Sequence, residues 1–186
     1  MKEYFSSLFA TPLMAAAQAV GFAAMTCAII CFAQKKRKNI IVWQIITLAL
    51  WVLHFIMLGN PTAAAINSVQ IVRNLVFINR EKHEWASKNI WPVLFIVLTL
   101  AMGIFTWQSP LSLMPMIATS LATVAIWMKK PLSIRLLTLP VSLLWCIYDF
   151  LTKSIAGTCN EIFTIITIVI AIFTIDLKQT EREEIK

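Results

Sequence analysis

Glycine is scarce in this chain, with four residues in 186, and acidic side chains number only nine. No GxGxxG, no Walker loop, no HExxH and no Gly-x-Ser-x-Gly occurs, so the motifs of nucleotide binding and of conventional hydrolases are missing. No nucleophile and base stand at a recognisable spacing, and the chain is not expected to be an enzyme. Four cysteines and two histidines leave little for metal binding. Cys27 and Cys31 share a helical face, but no histidine or acid accompanies them in that stretch. They read, with Cys146 and Cys159, as small packing residues, and no cofactor is implied.

Apolar residues fill the space that charge leaves: 59% of the chain is hydrophobic, 13% is charged, and the mean hydropathy is +0.78. A water-soluble domain of this size would not tolerate that balance. Apolar runs near the thickness of a bilayer fall at 10–33, 40–58, 62–79, 90–108, 112–128, 132–151 and 155–175. Hydrocarbon demands that backbone amides be satisfied within each segment, which predicts seven helices and an all-α membrane protein. Gly59-Asn60-Pro61 and Gln108-Ser109-Pro110 read as turns, because proline lacks the donor a continuing helix needs.

The net charge of +7 is distributed in a way that excludes nucleic acid as its reason. Lys35, Lys36, Arg37 and Lys38 follow the first run, and Arg80, Lys82 and Lys88 follow the third. Lys129, Lys130 and Arg135 mark the next alternate connection, and Lys178, Arg182 and Lys186 come after the last run. The opposite connections hold only Lys153. The positive-inside rule then places the N-terminus outside and the C-terminus in the cytoplasm. Near the start, Lys2 precedes an apolar run with Ala15-Ala16-Ala17, but the strong basic cluster follows that run, the reverse of signal-peptide order. The run reads as a retained helix, and the mixed-charge tail 176–186 as a solvated extension.

The chain also matches itself at an offset of 94 positions. That shift pairs Lys35-Lys36 with Lys129-Lys130, Leu50-Trp51 with Leu144-Trp145, and Ile40, Ile71 and Ile78 with Ile134, Ile165 and Ile172. The expected organisation is one transmembrane domain: a three-helix repeat at 10–79, a linker helix at 90–108 and a second repeat at 112–175. An odd linker gives both repeats the same orientation, as two parallel three-helix bundles.

Polar residues inside the apolar runs are the candidates for a site, since an ionised Asp, Lys or Arg at a helix centre costs about 2.5–3.5 kcal/mol on insertion scales. The third run carries Asn67, Gln70, Arg73 and Asn74 within an arc of about 120°, and the seventh carries Asn160, Glu161, Thr164 and Thr167 in a similar arc. The offset matches Asn67 with Glu161, so the repeats aim polar faces at one another. Trp51 and His54 on the second run have Trp145 and Tyr148 at the matching places on the sixth. Two tryptophans with amides nearby fit a clamp for a flat or sugar-like solute. Arg73 is within reach of Glu161 as an ion-pair partner, and the alternative is an Arg73 that snorkels and leaves Glu161 free. Asp149 and Lys153 read as features of the outer mouth. The fourth run, polar only at Thr99, Thr106 and Gln108, suits a helix facing lipid.

The three-one-three plan resembles the SWEET and PQ-loop transporter architecture. More narrowly, Ala17-Gln18-Ala19-Val20-Gly21, Trp51-Val52-Leu53-His54-Phe55, Leu113-Met114-Pro115-Met116-Ile117, and Ser154-Ile155-Ala156-Gly157-Thr158 followed by Glu161 resemble the bacterial inner-membrane YgjV family across nearly the whole chain. The SWEET resemblance implies alternating access around a midplane site with asparagine on the third helix and tryptophan on the second helix of each repeat. Asn67, Trp51 and Trp145 match that pattern, with Asn160 or Glu161 in the remaining place. Pro115 and Pro140 match its hinges in the second repeat; the first has only Pro12, and no Pro-Gln pair occurs.

The expected function is therefore a small polar metabolite transporter or facilitator, with Glu161 as a proton-linked switch. Its partners are the lipid bilayer and a small-molecule solute, not nucleic acid, and an oligomer is compatible with the pattern. The alternative is a non-transporting membrane protein, an assembly factor or sensor that uses the same groove for a partner helix or lipid.

Overall fold

The computed structural model describes residues 9–32, 37–80, 82–128 and 131–173, with the side chains of 32, 37–41 and 131 outside the description. Lys35, Lys36, Lys129, Lys130 and the 176–186 tail therefore lie outside the described residues. Among those described, every regular element is helical. A helix stands in each expected run: α1 (Pro12–Phe32), α2 (Arg37–Met57), α3 (Pro61–Phe77), α4 (Ile90–Phe105), α5 (Leu113–Trp127), α6 (Pro131–Leu151) and α7 (Ile155–Ala171). A single helical turn, Glu84–Ser87, precedes α4, and a 3-10 turn, Pro110–Ser112, leads into α5.

Three stretches are long and apolar enough to cross a bilayer: Pro12–Cys31, Pro110–Trp127 and Leu132–Leu151. Val42–Met57, Ile90–Phe105 and Ile155–Ala171 are shorter apolar helices. The outer surface is the inverse of a soluble protein's. Phe22, Ile56, Val72, Leu136 and Ile170 are all exposed, and on α4 the exposure reaches 88% at Phe105. What α4 buries is one narrow face, Pro92, Phe95, Thr99 and Gly103, as suits a helix with lipid on its other sides.

Sequential helices pack on one another throughout, and two further contacts close the bundle: α1 against α7, and α3 against α5. The 94-position offset exchanges these two contacts. The turns at one end are built alike as well. Between α2 and α3 the amides of Leu58, Gly59 and Asn60 return to the carbonyls of His54, Ile56 and Phe55; between α6 and α7 those of Thr152, Lys153 and Ser154 return to Tyr148, Phe150 and Asp149. Each donor and each acceptor is displaced by 94. Both turns need a residue with positive φ to reverse the chain, which Gly59 supplies at 72° and Lys153 at 63°. Pro61 then opens α3, while Ser154 caps α7 by accepting the Gly157 amide at 3.2 Å.

Each turn is fastened by the opposite half of the chain. The Gln18 side chain donates to the Lys153 carbonyl at 2.7 Å and accepts the Ile155 amide at 3.1 Å. At the place 94 positions after Gln18, the Ser112 hydroxyl meets that of Thr62 at 3.2 Å, and the Gln108 amide donates to the Gly59 carbonyl at 3.3 Å. These contacts hold together the end of the bundle where α2 meets α3 and α6 meets α7. Along α3 and α5 the fastening continues: Gln70 to Thr119 at 3.5 Å, Arg73 to Thr123 at 3.0 Å, and Arg80 to the Trp127 carbonyl at 2.7 Å with its guanidinium 3.7 Å from the indole centre. On the α1–α7 side, Gln18 supplies hydrogen bonds between the halves at the turn end.

Candidate functional site

Helical periodicity directs a set of side chains from five helices into one cavity of about 260 Å³. From α2 come Gln44, Thr47, Trp51 and Phe55, spaced three or four residues apart and therefore on one face, with Leu48 beside Thr47. Helix α3 adds Asn67, Gln70 and Asn74; α6 adds Trp145 and Asp149; α7 adds Gly157, Asn160, Glu161 and Thr164; and α1 contributes Ala28 and Cys31 near its end. Four pairs of these positions are related by the 94-residue offset: Trp51 with Trp145, Phe55 with Asp149, Asn67 with Glu161, and Gln70 with Thr164. The cavity lies between the two halves.

The aromatic wall differs from the expected clamp. Phe55 neighbours both tryptophans, its ring centre 6.0 Å from Trp51 and 5.9 Å from Trp145, with interplanar angles of 30° and 31°. The rings thus form a continuous wall around Phe55. Tyr148 stands edge-on to Trp145 at 5.7 Å and belongs to the packing behind this wall, 3% exposed and absent from the cavity lining.

On the polar side, Asn67 donates to the Ala63 carbonyl at 2.9 Å and receives Gln70 at 3.5 Å. Arg73 lies behind this row. Its guanidinium donates to Thr123 at 3.0 Å, Gln70 at 3.3 Å and Asn74 at 3.2 Å, so neutral oxygens take its donors. The Glu161 carboxylate receives Asn160 at 3.2 Å and has Ser142 as a second partner. The expected pairing of Glu161 with Arg73 is therefore replaced by separate neutral partners for each. Arg73 does not snorkel either, since it is buried at 2% exposure.

His54 likewise has its ring nitrogens engaged within the fold. It is fully buried and lies outside the cavity, with Nδ1 2.7 Å from the Ala17 carbonyl and Nε2 2.8 Å from the Ser154 hydroxyl. Because a carbonyl only accepts, Nδ1 carries a proton, and the ring ties α1 to the α6–α7 turn.

Asp149 corrects the expectation of an outer-mouth feature. It is 3% exposed and lines the cavity. Its Oδ2 lies over Gly157, where a side chain would collide with it, and its carboxyl has the Ser154 hydroxyl as a hydrogen-bond partner. Its Oδ1 is buried without a hydrogen-bond partner, as is Thr47 Oγ1 on the same cavity. Asp149 was hidden in the sequence by its position two residues from the end of α6. The offset pairing with Phe55, itself one turn from Trp51, was the signal that pointed inward. Gln44, Thr47 and Asn74 join the site through the same one-face spacing on α2 and α3.

Apolar helices clad in lipid-facing side chains around an interior polar cavity define an integral membrane protein. A family model described as bacterial inner membrane protein, Imp-YgjV, matches residues 15–179, and the chain belongs to that family. It is similar to the inner membrane protein YgjV of Escherichia coli strain K12, with 28% identity over 146 residues, covering 78% of this chain and 76% of the relative. No solved structure matches it significantly.

Proposed function

We propose that this inner membrane protein is a transporter or facilitator for a small polar solute, built from seven membrane-crossing helices in a three-one-three plan. The carrying observation is that four pairs of residues related by the 94-position offset face one polar cavity between the halves. Parallel repeats that share an interface in this way permit alternate access to a common site by rocking of one bundle against the other. The shorter helices are 16 or 17 residues long, about 24–26 Å, and fit a bilayer locally thinned or flanked by interfacial residues.

With Arg80, Lys82, Lys88 and Arg135 on the cytoplasmic side, the fastened turn end faces outward. The bonds of Gln18, His54 and Ser112 then close the outer gate, and the cavity extends toward the cytoplasmic ends of α1 and α2 at Cys31 and Gln44. A cavity of this volume with amides and carboxylates in its walls suits a solute smaller than a drug-sized molecule better than a partner helix. Glu161, held by neutral partners, is available to exchange a proton during the cycle.

The test is thermal stabilisation of the purified protein across a metabolite library, followed by uptake of each hit into proteoliposomes. Solutes that stabilise the wild type, are taken up, and lose both effects in Trp51→Ala support the reading. A library in which no solute stabilises the protein contradicts it.

A further inference from the structure

Resting on the reading of the cavity as a solute path, we infer that its solute is a small organic cation with an ammonium group. The cavity contains two carboxylates, Asp149 and Glu161, and no cationic side chain among its lining residues. Arg73, one turn beyond Gln70 on α3, sits behind the amides of Gln70 and Asn74, whose oxygens take its donors. Asp149 lines the cavity, and its Oδ1 is buried without a partner, which leaves an acceptor beside the cavity in need of a donor.

The rest of the wall specifies what kind of cation. An alkali ion prefers a cage of oxygens, whereas here Trp51, Phe55 and Trp145 line the space beside the acids. The faces of such rings attract ammonium groups and cover the apolar substituents they carry. A space near 260 Å³ holds a cation of this size and excludes the body of a lipid. The recognition is then divided: the carboxylates take the charge and its N–H donors, and the aromatic wall takes the carbon skeleton.

The experiment uses the purified full chain at constant sodium chloride. Thermal midpoints are measured with ethylammonium, tetramethylammonium and choline, against the uncharged choline isostere 3,3-dimethylbutan-1-ol and against glucose. At saturation, at least one cation is expected to raise the midpoint by roughly 3–6 °C, and the isostere and glucose to leave it unchanged. Glu161→Gln is expected to weaken the effect by about tenfold or more. Should that variant fail to fold, uptake by wild-type proteoliposomes decides the matter: the stabilising cation should enter at least about ten times faster than the isostere. If glucose or the isostere stabilises and enters as well as the cations, the cation class is overturned while the solute path stands. If sodium chloride alone reproduces the shift, or no cation produces one, the inference is likewise overturned.

Discussion

Gly59 and Lys153, 94 positions apart, occupy the same left-handed backbone region, at φ of 72° and 63°, in turns whose hydrogen bonds correspond one for one. The chain reversal, and not the side chain, is what the two halves share. A left-handed lysine costs roughly 1–2 kcal/mol relative to glycine, offset by up to about 1 kcal/mol of unfolded-state freedom that glycine adds. Lys153→Gly is therefore expected to raise the thermal midpoint by about 1–3 °C, and Gly59→Val to lower it by more than that. A destabilised Lys153→Gly protein would show that the lysine side chain has a role of its own.

His54 is expected to matter for folding and not for solute recognition. His54→Ala removes two buried hydrogen bonds and leaves a cavity beneath Trp51 and Phe55. A loss of about 2–4 kcal/mol is expected in stability measurements, with solute affinity of the folded fraction unchanged. A variant that folds normally but loses solute-induced stabilisation would return His54 to the site.

Arg73 and Glu161 are expected to be energetically independent. A double-mutant cycle of Arg73→Gln and Glu161→Gln should give a coupling below about 0.5 kcal/mol, because each group is held by different neutral partners. Arg73→Gln should instead couple to Thr123→Val, whose hydroxyl it reaches at 3.0 Å. Rescue of Glu161→Gln by neutralising Arg73 would establish the ion pair after all.

The helices were readable because each is a hydrophobic run bounded by proline, by a turn sequence or by basic residues; Pro140, inside α6, left that helix intact. The cavity was only half readable. Spacing of three and four identifies which side chains share a helical face, and Trp51, Trp145, Asn67, Gln70, Asn160 and Glu161, grouped in that way, all line one cavity. Spacing does not say which neighbour that face meets. His54 shares a side of α2 with Trp51, yet the packing of α1 and the α6–α7 turn captures it. Arg73 follows Gln70 by one turn, yet points to Thr123 of α5. Asp149 looked peripheral because the distance from a helix end measures depth only if nothing covers that end, and here Gln18 fastens the following turn.

Topology has its own test. In a background stripped of the native cysteines, Lys36→Cys should react with a membrane-impermeant thiol reagent only when the cytoplasmic face is exposed. Reaction in intact cells, from outside, would invert the proposed orientation and with it the direction in which the cavity opens.

The central claim is that solute passes through the cavity between the two halves, and thiol accessibility at Asn67→Cys and Glu161→Cys measures it most directly. These are equivalent positions on facing helices, both on the cavity wall. In inside-out vesicles both should react with a small water-soluble thiol reagent far faster than a control at the exposed, apolar Val97 of α4. A transported solute should slow both reactions together. Two positions as unreactive as Val97→Cys, or labelling that no solute slows, would contradict the account.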